Sequence, residues 1–403
     1  MPPHKWLRGG RVIESTKKTM ETIKKILKLV AGMLTGAAVG YFGVMGVIWL
    51  VDGSLPSSHS SNEGVDWGMM ALSIGVTLAA LVVAVMVHLI LHEAGHLIAG
   101  LLTGYRFLSF RVFRFTLVKT SEGLRWKKFH IAGTGGQCIL ELPEDQDVAT
   151  MPWFWYNAGG VLMNLAIMLL SIVLLRLFDP GIVGFALLIM LAFVGLSIAL
   201  MNGIPCTING VSNDGHNIWM MWRRPAERRF FLHSLQIAGQ LSRGKRIGEM
   251  PAEWTEDCPV TGKSSYLELS NRITYMALLE DQGAFDKARQ VAEELMALGK
   301  KLPQLLQMEV ANERVMLELM TTNREEVVGE LWSKQVARYT ELNSKYSPIK
   351  CAVLYAYELL HNHNAEKAGS YKRHLEMHRN DYTMPGEALT ALWLIEKIDE
   401  KGS

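Results

Sequence analysis

The feature that most constrains this chain is a metal-binding pattern inside a long apolar segment. His92, Glu93 and His96 form an H-E-x-x-H pentad. On a helix, residues four apart share a face, so the two imidazoles can hold one metal ion. Glu93 lies beside them and can accept a proton from an activated water. The preceding stretch, Met69–Leu91, is almost wholly apolar. The pattern therefore predicts a hydrolytic zinc site placed in a membrane.

Four apolar runs are each long enough to cross a bilayer, which takes roughly 20 apolar residues. They are Leu29–Val51, Trp67–Leu102, Trp153–Phe178 and Ile182–Ile204. One such run alone can also be a buried core helix, but four in one half of a 403-residue chain favour a membrane domain. After Arg223 the composition becomes that of a soluble helical protein.

Basic and non-basic connecting segments alternate along the membrane half. Eight Lys and Arg residues precede the first run and seven separate the second run from the third, whereas residues 52–66 contain neither Lys nor Arg. The positive-inside rule then places both termini in the cytoplasm of a multi-pass cell-membrane protein. The net charge of +2 points to no class of partner, and no nucleic acid partner is expected.

Two histidines do not complete a catalytic zinc site, which usually has three protein ligands. Asp214 follows the fourth run, in a segment interrupted by Pro205 and several glycines. Irregular backbone at membrane depth is tolerated where it lines a polar cavity. Asp214 is therefore either the third ligand or an interfacial carboxylate that caps the next helix. His88 is either a further polar group at the site or a packing or hydrogen-bonding partner one turn away. His216 is either a group near the metal or an interfacial side chain.

Three patches on three separate apolar runs resemble the site-2 proteases, a family of intramembrane zinc metalloproteases. The first is the H-E-x-x-H pentad, and the second is Gly160–Asn164, which resembles a G-x-x-x-N element. The third is Asn202–Pro205 followed by Asp214-Gly215, which resembles an N-x-x-P…D-G element with a longer gap than its commonest form. The resemblance covers Trp67 to about Trp222.

The resemblance also implies roles for individual residues. Zinc would be bound by His92, His96 and Asp214, and Glu93 would be the general base. Asn164 and Asn202 would shape the site or bind substrate. The substrate would be a transmembrane or membrane-associated protein.

The pattern over residues 105–143, approximately, predicts a small antiparallel sheet at the cytoplasmic membrane face. Strand-like patterns occur at Phe107–Phe115, Trp126–Ile131 and Gln137–Leu142, with turns at Glu122-Gly123 and Gly133–Gly136. Its exposed edge can pair with an unwound substrate, or the sheet can simply plug the cytoplasmic opening of the site.

The C-terminal region predicts a soluble helical domain over 263–403, joined by a linker over 223–262. Helix openings recur about every 40 residues, near Gly283–Ala288, Asn323–Val328 and Asn364–Ala368. This resembles a tetratricopeptide-like array, which can bind a protein partner; a plain helical bundle is the alternative.

The expected fold is therefore mainly α. A basic cytoplasmic segment, 1–28, precedes a polytopic helical bundle of about four spans over 29–222.

The leading functional hypothesis is an intramembrane zinc metalloprotease acting in regulated proteolysis or propeptide processing. Two alternatives stay open. One is a membrane-tethered zinc peptidase active outside the bilayer, with a third ligand among Glu122, Glu141 and Glu144. The other is an inactive protease fold that acts as a membrane receptor or scaffold.

Overall fold

The computed structural model describes residues 67–120, 123–128, 135–144, 146–208 and 211–402. The predictions for the basic segment 1–28 and for the first apolar run, Leu29–Val51, lie outside the described residues.

Three helices in the described part of the chain are long and apolar enough to cross a membrane. They are α1 (Trp67–Leu102), α2 (Trp153–Leu177) and α3 (Gly181–Gly203). Each matches a predicted run to within a residue or two. Their length follows from continuous apolar sequence without an internal proline, and α2 stops before the turn at Asp179-Pro180 because proline cannot continue a helix. The prediction of a mainly helical chain with helices long and apolar enough to cross a membrane is confirmed for the described residues.

A four-stranded antiparallel sheet follows α1, as predicted. Its strands are β1 (Arg106–Val112), β2 (Phe115–Thr120), β3 (Gly123–Lys128) and β4 (Gly136–Glu141), in the order β3-β2-β1-β4. The predicted single strand over Phe107–Phe115 is wrong. Phe113 adopts the left-handed conformation, with a φ of 54°, so the chain turns there and β2 pairs back on β1. This conformation is rare for a bulky residue, which is why the alternating pattern did not reveal it.

One face of the sheet is anchored in a hydrophobic core. Cys138 and Leu140 of β4 pack with Tyr156 at the start of α2 and with Leu232 and Leu235. The last two belong to α5 (Pro225–Ser242), which begins at a proline and follows α4 (Asp214–Arg223). A two-stranded ladder, β5 (Thr207–Ile208) and β6 (Val211–Ser212), precedes α4. This core holds β4 beside the C-terminal half of α1.

The remainder of the described chain is helical and has two apolar cores of its own. Phe285, Glu325 and Ala365 each begin a helix two residues after a positive-φ residue, at Gly283, Asn323 and His363. These three starts lie in the three segments where the sequence predicted helix openings. The helices are α6 (Tyr266–Asp281), α7 (Phe285–Ala297), α8 (Gln304–Met320), α9 (Glu325–Leu331), α10 (Lys334–Asn343), α11 (Pro348–Ala356), α12 (Ala365–His378) and α13 (Pro385–Gly402).

The chain divides into two compact units. One contains residues 67–86 and 165–197 among those described, and the other contains 87–164 and 198–402. Every predicted site residue belongs to the second unit, so the whole site lies within that one unit.

Candidate metal centre

Three side chains predicted as metal ligands converge in the structure. His92 and His96 lie one turn apart on α1, and Asp214 is the first residue of α4. His92 Nε2 lies 3.1 Å from Asp214 Oδ2 and 3.2 Å from His96 Nε2. His96 Nε2 lies 3.5 Å from the same carboxylate oxygen. Among the described residues these three form the one cluster of histidine, cysteine and carboxylate groups spaced to hold a metal ion.

The spacing of the three atoms fits a small tetrahedral ion. Bonds of about 2.0–2.2 Å from zinc to nitrogen or oxygen put neighbouring ligand atoms about 3.3–3.6 Å apart. The observed separations fall at or just below that range. Asp214 Oδ2 is also buried and makes no well-aligned hydrogen bond with any group in the described part of the chain. A buried carboxylate oxygen without such a partner is costly, and a cation bound there would remove the cost.

Each histidine is held from behind through its other ring nitrogen. His96 Nδ1 donates a hydrogen bond of 2.7 Å to the carbonyl oxygen of Tyr156. His92 Nδ1 lies 2.9 Å from the side-chain amide nitrogen of Asn164, whose amide oxygen lies 3.0 Å from His88 Nδ1. Such outer partners fix the orientation of metal-binding imidazoles. Asn164 therefore lies behind a ligand, and His88 lies one step further back.

Glycine allows α2 to approach the imidazoles. A Cβ atom on Gly160 would lie 2.5 Å from His96 Nε2 and 2.7 Å from His92 Nε2, which no side chain can tolerate. One residue earlier, a Cβ on Gly159 would lie 2.3 Å from the carbonyl oxygen of Gly95. The predicted G-x-x-x-N element therefore supplies the close approach to the imidazoles, at Gly160, and the residue behind His92, at Asn164, while Gly159 just before it allows the close helix crossing.

Asn213, like Tyr156, is a site residue that the sequence analysis missed. Its side-chain oxygen caps α4 by accepting from the backbone N–H of His216 at 2.9 Å. Its amide nitrogen donates to the carbonyl oxygens of Met201 and Ile204, at 2.6 and 2.7 Å. One side chain thus fastens the end of α3 to the start of α4 and fixes Asp214. The preference of asparagine for the N-cap position, directly before Asp214, was the available signal.

Glu93 faces the edge strand β4. A Cβ atom on Gly136 would lie 2.6 Å from its carboxylate, and the backbone of Cys138 hydrogen-bonds that carboxylate. The carboxylate also interacts electrostatically with all three predicted ligands, His92, His96 and Asp214. The carbonyl oxygen of Cys138 accepts a hydrogen bond of 2.8 Å from the Tyr156 hydroxyl. Both backbone polar groups of Cys138 on the edge of β4 therefore already have partners.

Two other predicted residues lie near the centre without joining it. Asn202 donates to the carbonyl oxygen of Ile198 in its own helix, at 3.1 Å. The ring of His216 packs against Trp219, with centroids 5.7 Å apart. Substrate contact by Asn164 and Asn202 stays a prediction.

The carboxylates weighed as alternative third ligands are engaged elsewhere or lie outside the described residues. Glu141 is buried and paired with Arg243 and Lys119. Glu144 hydrogen-bonds Gln240. Glu122 falls in the part of the chain that is not described. Among the described acids, Asp214 is the one that meets the two histidines.

Comparison with known proteins found no relative. No protein family matches the chain, and neither the curated proteins nor the solved structures include a match.

Proposed function

We propose that this protein is a membrane-embedded zinc metalloprotease that hydrolyses peptide bonds of transmembrane or membrane-associated proteins. The observation that carries the proposal is the convergence of His92, His96 and Asp214 at the ligand spacing of a tetrahedral ion. Glu93 adjoins them on α1, a helix long and apolar enough to cross a membrane. A purely binding protein has no need of that carboxylate.

The proposed chemistry divides between the ion and the chain. Zinc at this site would lower the pKa of a water molecule and polarise the scissile carbonyl. Glu93 would accept the proton from that water and pass it to the leaving amine. Its contact with the backbone of Cys138 holds the carboxylate in place between these two transfers. The Tyr156 carbonyl oxygen, which accepts from His96 Nδ1, keeps the lone pair of His96 Nε2 directed at the ligand cluster.

The depth of the site limits the class of substrate. A transmembrane helix bonds its own amides, so it must unwind before a carbonyl becomes available for attack. Strand β4 lies beside Glu93 and is an edge strand, which supports pairing with an unwound segment. Because Tyr156 and Glu93 already engage Cys138, such pairing would begin elsewhere along the edge or displace them. The alternative role, a sheet that covers the opening, is supported by the same contacts.

Topology and the C-terminal helices belong to the proposal as well. The alternation of basic segments supports a cell-membrane protein with both termini in the cytoplasm. The helix starts after Gly283, Asn323 and His363 recur at a constant interval, which supports a repeat. The first interval holds two helices, as in a tetratricopeptide hairpin, whereas the second holds three, α9 to α11. Such a repeat would offer a surface for a protein partner.

The test compares purified full-length protein with its Glu93→Gln variant. We expect both to retain about one zinc per chain, since Glu93 is not a ligand, and only the wild type to cleave a transmembrane peptide, with a loss of at least about 100-fold in the variant. Glu144→Gln is the matched control and should cleave normally. Membrane proteomes of cells that carry each variant should then reveal a substrate that accumulates uncut. Undiminished cleavage by Glu93→Gln protein would rule out the proposed base.

A second comparison separates the proposed layout from a peptidase that acts outside the bilayer. Asp214→Ala should lose zinc, whereas Glu141→Gln should keep it. Zinc retained after Asp214→Ala, and lost after Glu141→Gln, would favour the other layout.

A further inference from the structure

A row of three buried side chains leads away from the metal centre. His88 and Asn164 are fully buried, and His92 is nearly so. The Asn164 amide bridges the two histidines, with contacts of 3.0 Å to His88 Nδ1 and 2.9 Å to His92 Nδ1. His88 lies one helical turn before His92 on α1. It is too far along the row to bind the same ion, since the ligand cluster contains His92, His96 and Asp214 alone.

The two ligand histidines differ in what fixes their protonation. A carbonyl oxygen can only accept, so the contact with Tyr156 keeps the proton of His96 on Nδ1 and leaves Nε2 with its lone pair. His92 faces an amide instead, and an amide has a donor end and an acceptor end. The identity of the end that faces His92 therefore decides which of its nitrogens carries the proton.

In the present arrangement the amide NH₂ of Asn164 faces His92. His92 Nδ1 must then accept, which leaves the proton of a neutral imidazole on Nε2, where it faces Asp214 Oδ2 at 3.1 Å and His96 Nε2 at 3.2 Å. A metal ion needs the Nε2 lone pair, so the proton must move to Nδ1 and the amide must present its oxygen. A half-turn of the amide achieves this and directs its NH₂ at His88 Nδ1.

We infer that His88 is a positioning residue that sets His92 in its metal-binding tautomer through Asn164. A neutral His88 with its proton on Nε2 can accept through Nδ1 from the turned amide, and this contact satisfies the amide NH₂ group. Without an acceptor at position 88, the turned amide would bury an unpaired N–H, which is unfavourable. The inference rests on the proposed zinc site but concerns zinc affinity, not proteolysis.

The test measures zinc affinity of the detergent-solubilised full-length protein by competition with a chelator. His88→Leu removes the acceptor at similar volume and should weaken binding by about tenfold or more, the usual effect of losing an outer partner. His88→Gln restores an acceptor oxygen and should bind within about threefold of the wild type. If His88→Leu binds as tightly as the wild type, or His88→Gln as weakly as His88→Leu, the inference is wrong.

A double variant isolates the path through Asn164. Asn164→Asp puts an acceptor in front of His92 Nδ1 whatever lies behind it, so adding His88→Leu should cost less than about threefold in this background. An undiminished loss there would show that His88 acts by another route. Asn157→Leu is the matched control, because Asn157 is a buried amide on the same helix that donates to the carbonyl oxygen of Trp153. It should leave zinc affinity unchanged.

Proteolysis is read separately in the same preparations. Cleavage by the wild type with unchanged zinc affinity in His88→Leu would overturn this inference and leave the proposed function standing. If zinc affinity changes as predicted in the His88 variants but no membrane peptide is cleaved, this inference stands and the proposed protease function is wrong. Direct observation of the His92 tautomer by ¹⁵N chemical shift in the zinc-loaded protein should show the proton on Nδ1.

Discussion

At Gly160 the metal centre has no room for even a methyl group. A Cβ there would lie within 2.7 Å of atoms of both imidazoles, so Gly160→Ala must push α2 away or displace the ligands. We expect zinc affinity to fall by at least about tenfold while the helical content is kept. Gly75→Ala is the control, since a Cβ at Gly75 on α1 would meet nothing within 4 Å. Equal zinc affinity in the two variants would contradict the packing described here.

From the sequence, a candidate ligand could be predicted wherever metal chemistry requires a fixed spacing between residues. The one-turn separation of His92 and His96 is readable without a structure, because both must lie on one helix face. Asp214 required a hypothesis about distant segments. The structure brings its carboxylate to 3.1 and 3.5 Å from the two imidazoles, and metal binding there stays a prediction. Tyr156 and Asn213 could not be assigned in the same way. Tyr156 contributes to His96 through a backbone carbonyl, which any residue has, and Asn213 acts through contacts that exist only once α3 and α4 are in place.

At the scale of helices and strands, the placement of Asp214 depends on a single N-cap. Asn213→Ala removes the cap of α4 and both contacts to the end of α3. We expect a loss of about 1–2 kcal/mol in stability, together with weaker zinc binding. Asn364→Ala removes a comparable cap, on α12, where the side chain accepts from the backbone of Lys367. That control should lose similar stability and bind zinc normally. Normal zinc binding by Asn213→Ala would show that Asp214 is held by other contacts.

Helix bounds were far easier to predict than strand order. Apolar runs marked α1, α2 and α3 to within a residue or two because a bilayer demands continuous apolar sequence. In the sheet, the predicted strand ran past the turn to Phe115, and β2 was missed, since the turn at Phe113 uses no glycine or proline. The order β3-β2-β1-β4, which puts β4 against Glu93, follows from packing on Tyr156 and α5. No local pattern encodes that packing.

At the scale of the whole molecule, buried carboxylates make the stability of the C-terminal helices depend on pH. Burial of its carboxylate, opposed by Lys350 and aided by Glu309 and Glu387, raises the pKa of Glu313. A folded-state pKa above the unfolded one means that the contribution to stability is complete below the unfolded pKa and is lost as the pH rises through the folded pKa. Glu313→Gln should therefore raise the free energy of unfolding by about 1–3 kcal/mol at pH 8 and change little at pH 4.

Glu318 provides a control of opposite sign on the same helix. Hydrogen bonds from Arg324 and Arg314 lower the pKa of this buried carboxylate, despite its burial. Its contribution is therefore present at neutral pH and lost only in acid. Glu318→Gln should lower the unfolding temperature at pH 8, measured by circular dichroism of the full-length protein. Two variants that shift in the same direction at pH 8 would refute this assignment of charges.

Lys127 is one of the residues that join the sheet to the C-terminal helices. Lys127 on β3 donates to the carbonyl oxygens of Asp381 and Tyr382, at 2.5 and 2.8 Å, in the segment between α12 and α13. Lys127→Met keeps the aliphatic stem and removes both bonds. The two bonds together contribute over about 1 kcal/mol, so amide hydrogen exchange in residues 379–384 should accelerate by about fivefold or more. Lys128→Met, whose ammonium lies over the Phe115 ring instead, should leave that exchange unchanged. If the two variants exchange alike, the joint between sheet and helices lies in the apolar contacts around Tyr382.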